Sequence, residues 1–185
     1  MIYIIDFGSS KTSNIKNVVE GLGYKCCTIP WQEPHLIDFK NAKAFILSGA
    51  PVLLTETSSE PYLEKYRFIT TIGSPVLGIC FGHQLIGLLY GAKIFKGNAV
   101  RIPVPISIIT QNSLFNRLQE PPVFTEDHTE GINLPKGFIH LARSEKYEVE
   151  AMKHPSENIY GVQFHPEVSG INGITLLENF LMLTE

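Results

Sequence analysis

The stretch SPVLGICFGHQLIGLLYGA (residues 74–92) places Cys80 between Gly78 and Gly82. The apolar residues before this cysteine predict a buried strand, and the spacing of the apolar residues after it predicts a helix. A strand, a Gly-x-Cys-x-Gly turn and a helix form the cysteine version of the nucleophile elbow, in which close backbone packing excludes side chains at both glycines. Exposed N–H groups at the start of a helix favour a thiolate, so Cys80 is a candidate nucleophile. The pattern alone equally fits a cysteine packed as a small hydrophobic residue at a strand end.

Outward from this elbow, short apolar strands alternate with helical patterns through the first half of the chain. The strands are predicted in MIYIID, YKCCTI, AFILSG and SPVLGI, and the helices by the spacing of Ile15, Val18, Val19 and Leu22, in residues 62–71 and after Cys80. Such alternation predicts an α/β fold, with a doubly wound and mostly parallel central sheet between flanking helices.

The pattern changes after residue 92. RIPVPISII carries prolines two residues apart, which favours an edge strand or ribbon. Short strands separated by turn residues follow in PVFTEDH, GFIHLARS, YEVEAM and NIYGVQF, and they predict a small antiparallel β element in the second half. A closing helix is predicted from about residue 172 to residue 183. Because no stretch has the composition of a linker, we expect a single domain over residues 1–185.

Composition and charge exclude several classes of protein. Hydrophobic residues make up 44% and charged residues 18% of the 185 residues, which favours a globular chain over a disordered one. A net charge of −3 gives no basic face for nucleic acid, and no apolar stretch reaches the ~20 residues of a membrane helix. The N-terminus lacks the basic segment of a signal peptide, and three cysteines make a poor disulfide framework. We therefore expect a cytoplasmic protein with reduced thiols.

The segment YGVQFHPEV (residues 160–168) supplies a candidate base. Residues two apart in an extended chain point to the same side, so His165 and Glu167 are expected to share one face. Pro166 favours an extended backbone at His165 and stiffens this arrangement. A carboxylate beside an imidazole orients the ring, and a Cys–His–acid set is what acyl transfer requires. For this segment alone, a strand-end histidine beside a surface glutamate is the alternative.

Zinc binding is a second interpretation of the same residues. Cys80 and His83 have a Cys-x-x-His spacing, and His165 and Glu167 bring the number of candidate ligands to four. A glycine-flanked elbow has no role in a zinc site, however, and His83 is expected on a helix instead of in a zinc knuckle. The sequence therefore predicts neither a metal site nor a cofactor.

GICFGHQ and GVQFHPEV resemble the two signature motifs of class I glutamine amidotransferases, in the same order and at a similar separation. AFILSGAP (residues 44–51) resembles that family's oxyanion strand, PVLGIC its nucleophile strand and LLENFL its closing helix. The resemblance covers nearly the whole chain. It implies the family's flavodoxin-like sheet and its chemistry, the hydrolysis of glutamine to glutamate and ammonia.

The resemblance also implies a role for each matching residue. Cys80 attacks the side-chain carboxamide of glutamine, His165 serves as base and then as acid, and Glu167 orients His165. The backbone N–H groups of Gly49 and Phe81 hold the oxyanion. Ammonia leaves, and water then cleaves a γ-glutamyl thioester.

Further positions are implied around the substrate. Gln84 matches the family residue that helps to hold glutamine, whereas Thr129 and Glu130 correspond to backbone contacts by position and not by identity. Gly49 is followed by Ala50, where the family usually has a second glycine. If this peptide flips to a positive φ, alanine costs ~1 kcal/mol more than glycine and slows resting glutamine hydrolysis.

The ammonia acceptor depends on the branch of the family. In the C-terminal half, DHTE before LPKGF resembles the amidotransferase part of GMP synthase, where the matching element couples it to the synthetase. His128 and Glu130 occupy the matching positions, and a loop histidine without a special role is the alternative for His128. No ATP-pyrophosphatase signature follows in the sequence. This branch therefore implies a separate synthetase subunit of that type and the synthesis of GMP from XMP.

Other hypotheses remain for the function. IIDFGSSKTSNIKNVVEGLG resembles the start of the amidotransferase subunit of imidazole glycerol phosphate synthase. Anthranilate and aminodeoxychorismate synthase subunits, and a free-standing amidase or peptidase of the same fold, are further alternatives. From another class of protein, an inactive regulatory relative usually lacks the cysteine or the histidine, whereas this chain keeps Cys80, His165 and Glu167.

Overall fold

The computed structural model describes residues 1–184, which contain twelve strands and four α-helices. The first half consists of β1 (Ile2–Asp6), α1 (Thr12–Gly21), β2 (Cys26–Pro30), β3 (Ala44–Leu47), α2 (Glu60–Tyr66), β4 (Val76–Ile79) and α3 (Phe81–Leu89). The second half consists of β5 (Ile94–Val100), β6 (Pro103–Pro105), β7 (Ser107–Ile108), β8 (Val123–Thr125), β9 (His128–Ile132), β10 (Ile139–Arg143), β11 (Ala151–Lys153), β12 (Ile159–Val162) and α4 (Gly170–Leu181). All strands and helices expected in the first half are present.

Eight strands form one central sheet in the order β2-β1-β3-β4-β12-β11-β10-β7. The strands from β2 to β12 in this order pair in parallel, and β11, β10 and β7 extend the sheet in antiparallel. Two separate antiparallel pairs, β5–β9 and β6–β8, lie in the second half. The prediction of a doubly wound, mostly parallel sheet with a small antiparallel element is confirmed.

Alternate residues of the central strands face two different layers of helices. On β1, Ile2 and Ile4 pack in the layer that contains α1 and α4, whereas Tyr3 and Ile5 pack in the layer of α2 and α3. Every residue of β3 and β4 is buried, as expected of continuous apolar runs in a parallel sheet. The carboxyl ends of β1, β3, β4 and β12 therefore share one edge, where open α/β sheets place their binding sites.

Three features differ from the sequence-based expectation. Residues 128–132, expected as a loop, form β9, and β9 pairs with a strand over Ile94–Val100 that was not expected. Polar and glycine residues in both segments hide the alternation that marks a strand. The helix expected over residues 62–71 ends at Tyr66 and continues as a 3₁₀ turn, and α4 begins at Gly170.

The longest helix of the described chain is α4, with 12 residues. No helix among residues 1–184 has the length and apolar character needed to cross a membrane. The central sheet takes strands from both halves of the chain, and the expectation of a single domain over residues 1–185 stays a prediction.

Candidate active site

Cys80 occupies the turn between β4 and α3, at the carboxyl edge of the central sheet. Its φ is 52° and its ψ is −103°, a conformation that a residue with a side chain rarely adopts. The N–H of Cys80 donates to the carbonyl of Val162 over 2.9 Å, and its carbonyl accepts from the N–H of Gln84 over 3.0 Å. Such strain persists only where the surrounding structure enforces it, and it concentrates at functional sites.

Close backbone contacts require both glycines of the elbow. A Cβ on Gly78 would overlap the carbonyl group of Gly82, and a Cβ on Gly82 would lie 2.5 Å from the carbonyl oxygen of Leu47 on β3. The N–H of Gly82 also donates to the carbonyl of Ser48 over 3.2 Å. The start of α3 therefore packs directly on the backbone of β3 and β4.

His165 and Glu167 form a buried pair beside Cys80. Nδ1 of His165 lies 2.7 Å from Oε1 of Glu167, and the side chains are 3% and 0% exposed. The remaining ring nitrogen, Nε2, is available for the hydrogen bond to Cys80. Burial alone would lower the pKa of His165, but the hydrogen bonds to Cys80 and Glu167, together with their negative charges, raise it to about 10. His165 is therefore protonated at neutral pH.

The path between His165 and Glu167 is not the extended chain that their spacing predicts. Strand β12 ends at Val162, and residues Pro166–Val168 form a 3₁₀ turn. A proline fits the first position of such a turn because its fixed φ is already helical and its missing N–H needs no acceptor. The turn folds the carboxylate back onto the ring, so the expected contact forms by a different route.

Thr125 and Ser169 hold the backbone of His165. The N–H of His165 donates to the carbonyl of Thr125 over 2.8 Å. The hydroxyl of Ser169 donates to the carbonyl of His165 over 2.6 Å and accepts from the N–H of Thr125 over 2.8 Å. On α4, a Cβ at Gly173 would overlap the carbonyl of Pro166. The sequence analysis missed these residues because they belong to no local motif.

The two expected oxyanion donors both border Cys80. A Cβ on Gly49 would lie 3.1 Å from Cε1 of His165 and 3.8 Å from Cβ of Cys80. Phe81 is the first residue of α3, where N–H groups have no acceptor within the helix. Ala50 is not among the residues at positive φ, so its alanine side chain fits the backbone without strain.

A cavity of about 220 Å³ opens beside the pair formed by Cys80 and His165. The structure brings the three expected substrate-binding residues to its wall, since Gln84, Thr129 and Glu130 line it. The cavity adjoins the nucleophile on one side and β9 on the other. Its position is that of a substrate pocket at the carboxyl edge of the sheet.

Charges of both signs lie at this cavity. Nζ of Lys11 is 2.5 Å from Oδ2 of Asp127, and Nε of Arg101 is 3.5 Å from Oδ1 of the same carboxylate. All three residues line the cavity. The lysine and the carboxylate hold the pKa of Asp127 below its ordinary value, chiefly through their hydrogen bond. A cavity with both signs of charge suits a zwitterionic amino acid.

The side chains of Gln84 and Glu130 are engaged within the protein. Nε2 of Gln84 donates to the carbonyl of Glu130 over 3.0 Å and to Oε1 of Gln163 over 3.2 Å. The Glu130 carboxylate accepts from the N–H groups of Leu54 and Thr55 over 2.8 Å and 2.7 Å, and from the Thr55 hydroxyl over 2.5 Å. Glu130 therefore anchors the loop at the cavity wall, and the roles as substrate contacts stay predictions.

His128, the expected coupling residue, is the first residue of β9, and its side chain is 2% exposed. It lies in neither of the settings considered from the sequence, an exposed coupling element or a loop. Burial lowers the pKa of His128, raises that of Glu126 to about 7 and raises that of Glu150 to about 8. A coupling role for His128 stays a prediction.

His83 lies on α3 as expected and is completely buried. Burial lowers its pKa to about 3, so the ring is neutral. The ring packs on Gly161, where a Cβ would lie 2.5 Å from Nδ1. Among the described residues, three or more possible metal ligands converge only at Glu126, His128 and Glu150. The four residues of the zinc interpretation are thus not brought together.

Residues 3–183 match the family model for glutamine amidotransferase class-I, and the chain therefore belongs to the class-I glutamine amidotransferase family. A subunit of the glutamine-hydrolyzing GMP synthase of Pyrococcus furiosus is 38% identical over 184 residues, which cover 97% of this chain and 96% of the relative. The protein of the same name from Thermococcus kodakarensis is 38% identical over 187 residues, covering 99% and 98%. A crystal structure of a Thermoplasma acidophilum protein, provisionally assigned as the same GMP synthase subunit, has a TM-score of 0.89 at 28% identity and covers 99% of this chain and 92% of its own.

Proposed function

We propose that this glutamine amidotransferase uses Cys80, His165 and Glu167 as a catalytic triad, and that it delivers ammonia to a separate synthetase subunit that makes GMP from XMP. One observation carries the triad: a chain of hydrogen bonds runs from Glu167 through His165 to Cys80, on an elbow held at positive φ. Nucleophile, base and orienting acid are the set that covalent acyl transfer needs.

The first half-reaction releases ammonia. The sulfur of Cys80, as the thiolate, adds to the carboxamide carbon of glutamine, and the N–H groups of Gly49 and Phe81 stabilise the negative charge on the oxygen. His165 then gives its Nε2 proton to the nitrogen as the C–N bond breaks. Glu167 accepts from Nδ1 throughout and keeps the ring oriented. The products are ammonia and a γ-glutamyl thioester.

The second half-reaction restores the enzyme. His165, now neutral, takes a proton from water while the oxygen adds to the thioester carbon. The C–S bond breaks, glutamate leaves, and Cys80 is again a thiolate beside a protonated His165. The raised pKa of His165 fits this cycle, because the same ring must hold a proton at rest and release it to the leaving nitrogen.

The relatives support GMP as the product of the partner. Two of them carry the name of one subunit of GMP synthase, and each matches this chain over nearly its whole length. A protein named as a subunit works with a second polypeptide, which here would be a synthetase of the ATP-pyrophosphatase type. The exposed side of Arg101 at the cavity offers a polar contact for that partner.

The test measures glutamate and GMP together. The purified chain is assayed with glutamine, alone and with the synthetase, XMP and ATP, and the expected result is glutamate release coupled to GMP formation. Cys80→Ala abolishes glutamine-dependent GMP formation, yet added ammonium still supports it. The matched control is Cys27→Ala, which changes a half-buried free cysteine on β2 and keeps full activity. Glutamate release by Cys80→Ala would contradict the triad, and release without GMP would contradict the acceptor.

We also propose a cytoplasmic location. Cys26, Cys27 and Cys80 are free thiols, and a reducing compartment preserves a thiol nucleophile. A fluorescent fusion of the active protein that localises outside the cytoplasm would contradict this.

A further inference from the structure

A second group of chemically active side chains lies apart from the triad. Glu126, His128 and Glu150 bring their ligand atoms within 4.8 Å of one another. Glu126 and Glu150 are each 1% exposed, and the His128 side chain is 2% exposed. Nothing in the glutamine chemistry above uses these three residues.

The orientation of His128 directs one nitrogen into this cluster. Nδ1 lies 2.9 Å from the carbonyl oxygen of Glu130, which can only accept, so Nδ1 carries the hydrogen. The other nitrogen, Nε2, then presents its lone pair, and it faces Oε2 of Glu126 over 2.9 Å. A backbone carbonyl that fixes the tautomer in this way is the usual support of a metal-binding histidine.

The carboxylates add further acceptors without donors. Neither oxygen of Glu126 has a hydrogen-bond partner, and neither does Oε2 of Glu150. The one donor nearby is the Ser144 hydroxyl, which bonds to Oε1 of Glu150 over 2.6 Å. Within residues 1–184 no lysine or arginine pairs with either glutamate. Buried acceptors that face one another need a cation between them, because an unpaired buried charge costs several kcal/mol.

We propose that Glu126, His128 and Glu150 bind a divalent metal ion, preferentially Zn²⁺, beneath the glutamine cavity. Ligands ~2.0–2.1 Å from a tetrahedral Zn²⁺ lie ~3.3 Å apart, and the cluster reaches that spacing with small side-chain movements. Three protein donors in a buried site leave room for about one water. This favours Zn²⁺ over Mg²⁺ and Mn²⁺, which prefer six mostly oxygen ligands.

Such an ion would join parts of the chain that surround the active site. Glu126 and His128 flank the start of β9, which forms a wall of the cavity, whereas Glu150 directly precedes β11. The carbonyl of Glu150 accepts from the N–H of Gln163, two residues before His165. The bound ion would therefore hold the cavity wall against the strand that leads to His165. Because His128 lines the cavity, the ion has a route from solvent.

The test is direct metal binding by the full chain. Protein stripped with EDTA and dialysed is titrated with Zn²⁺ in competition with a chromogenic chelator, and we expect one Zn²⁺ per chain and a raised melting temperature. Glu150→Gln and His128→Gln each weaken binding at least ~10-fold. The matched control is Glu148→Gln, which changes a carboxylate that is 70% exposed two residues away and leaves the affinity unchanged. Cys80→Ala also leaves it unchanged.

A second measurement needs no variant in the cluster. Co²⁺ added to the stripped wild-type chain should give visible absorption bands of nitrogen and oxygen ligation, without thiolate charge transfer, and Zn²⁺ should displace them. Absence of stoichiometric binding, or equal affinity in Glu150→Gln and His128→Gln, would overturn the proposal and leave a shared proton between the carboxyl groups. The readout is binding, so its outcome is independent of glutamine hydrolysis.

Discussion

A single methyl group at Gly82 tests the construction of the elbow. In Gly82→Ala the new Cβ would lie 2.5 Å from the carbonyl oxygen and 2.6 Å from Cβ of Leu47. An ordinary van der Waals contact begins at 3.4 Å, so the start of α3 must move away from β3 by about 0.9 Å, which is 3.4 minus 2.5. Neither neighbour is the free end of a flexible side chain, so the helix itself has to shift.

The shift has two measurable consequences. Overpacking of this size costs ~1–3 kcal/mol of folding free energy. Phe81 and Cys80 move with the helix, and a ~1 Å misplacement of reacting groups lowers turnover ~100-fold. We therefore expect Gly82→Ala to stay folded but to lose about two orders of magnitude in kcat for glutamine hydrolysis.

The assay pairs urea denaturation with steady-state release of glutamate. Gly21→Ala is the matched control, because Gly21 ends α1 and a Cβ there meets nothing within 4 Å. That control should keep full activity and gain up to ~1 kcal/mol of stability, since alanine favours helix more than glycine. If Gly82→Ala retained wild-type kcat and stability, the close packing of α3 on β3 would not be a requirement of the site.

Side chains around the cavity give three more expected outcomes. Glu130→Ala leaves buried backbone donors without an acceptor at ~1–3 kcal/mol each and should lower the unfolding free energy measured in urea by about 2–4 kcal/mol; a loss below ~0.5 kcal/mol would contradict the anchoring role. Cys80→Ala removes the hydrogen bond and charge that raise the pKa of His165 to about 10, so the NMR titration of that ring should move to lower pH. A raised pKa contributes stability that is complete below 6.5 and is lost as the pH rises through about 10, so the melting temperature of Cys80→Ala should fall less over that range than that of wild type; parallel curves would refute the assignment. Ala50→Gly should speed glutamine hydrolysis by the chain alone up to ~5-fold, the equivalent of ~1 kcal/mol, and an unchanged or lower rate would count against a backbone flip there.

The elbow could be predicted from the sequence because all its parts are contiguous. The strand, both glycines, Cys80 and the helix lie within residues 74–92, and each part has a local reason for its residue types. The contact between His165 and Glu167 was also predictable, since two residues separate little in any conformation. The 3₁₀ turn that makes the contact was not, because extended and helical backbones both fit the residues after Pro166.

Long-range contacts were beyond the sequence. Glu130 matched a position of a known family, but its carboxylate bonds to Leu54, 76 residues away, and no spacing rule predicts that partner. Strand β9 escaped notice because its residues are buried by pairing with β5 and by Tyr147, whose hydroxyl bonds to the carbonyl of Thr129 over 2.9 Å. The cluster around His128 likewise depends on Glu150 arriving from a distant strand. Local patterns specify elements, whereas tertiary packing decides which polar groups meet.

The positive φ of Cys80 means that the fold would be more stable without its own nucleophile. Glycine adopts φ near 52° with little penalty, whereas a residue with a Cβ loses about 1 kcal/mol or more there. A descendant of this chain released from chemistry would gain stability by a single change, Cys80→Gly, and the gain over Cys80→Ala would isolate the backbone contribution. Cysteine at this position is therefore maintained against the preference of the backbone, and its persistence in a lineage records continued selection for the reaction.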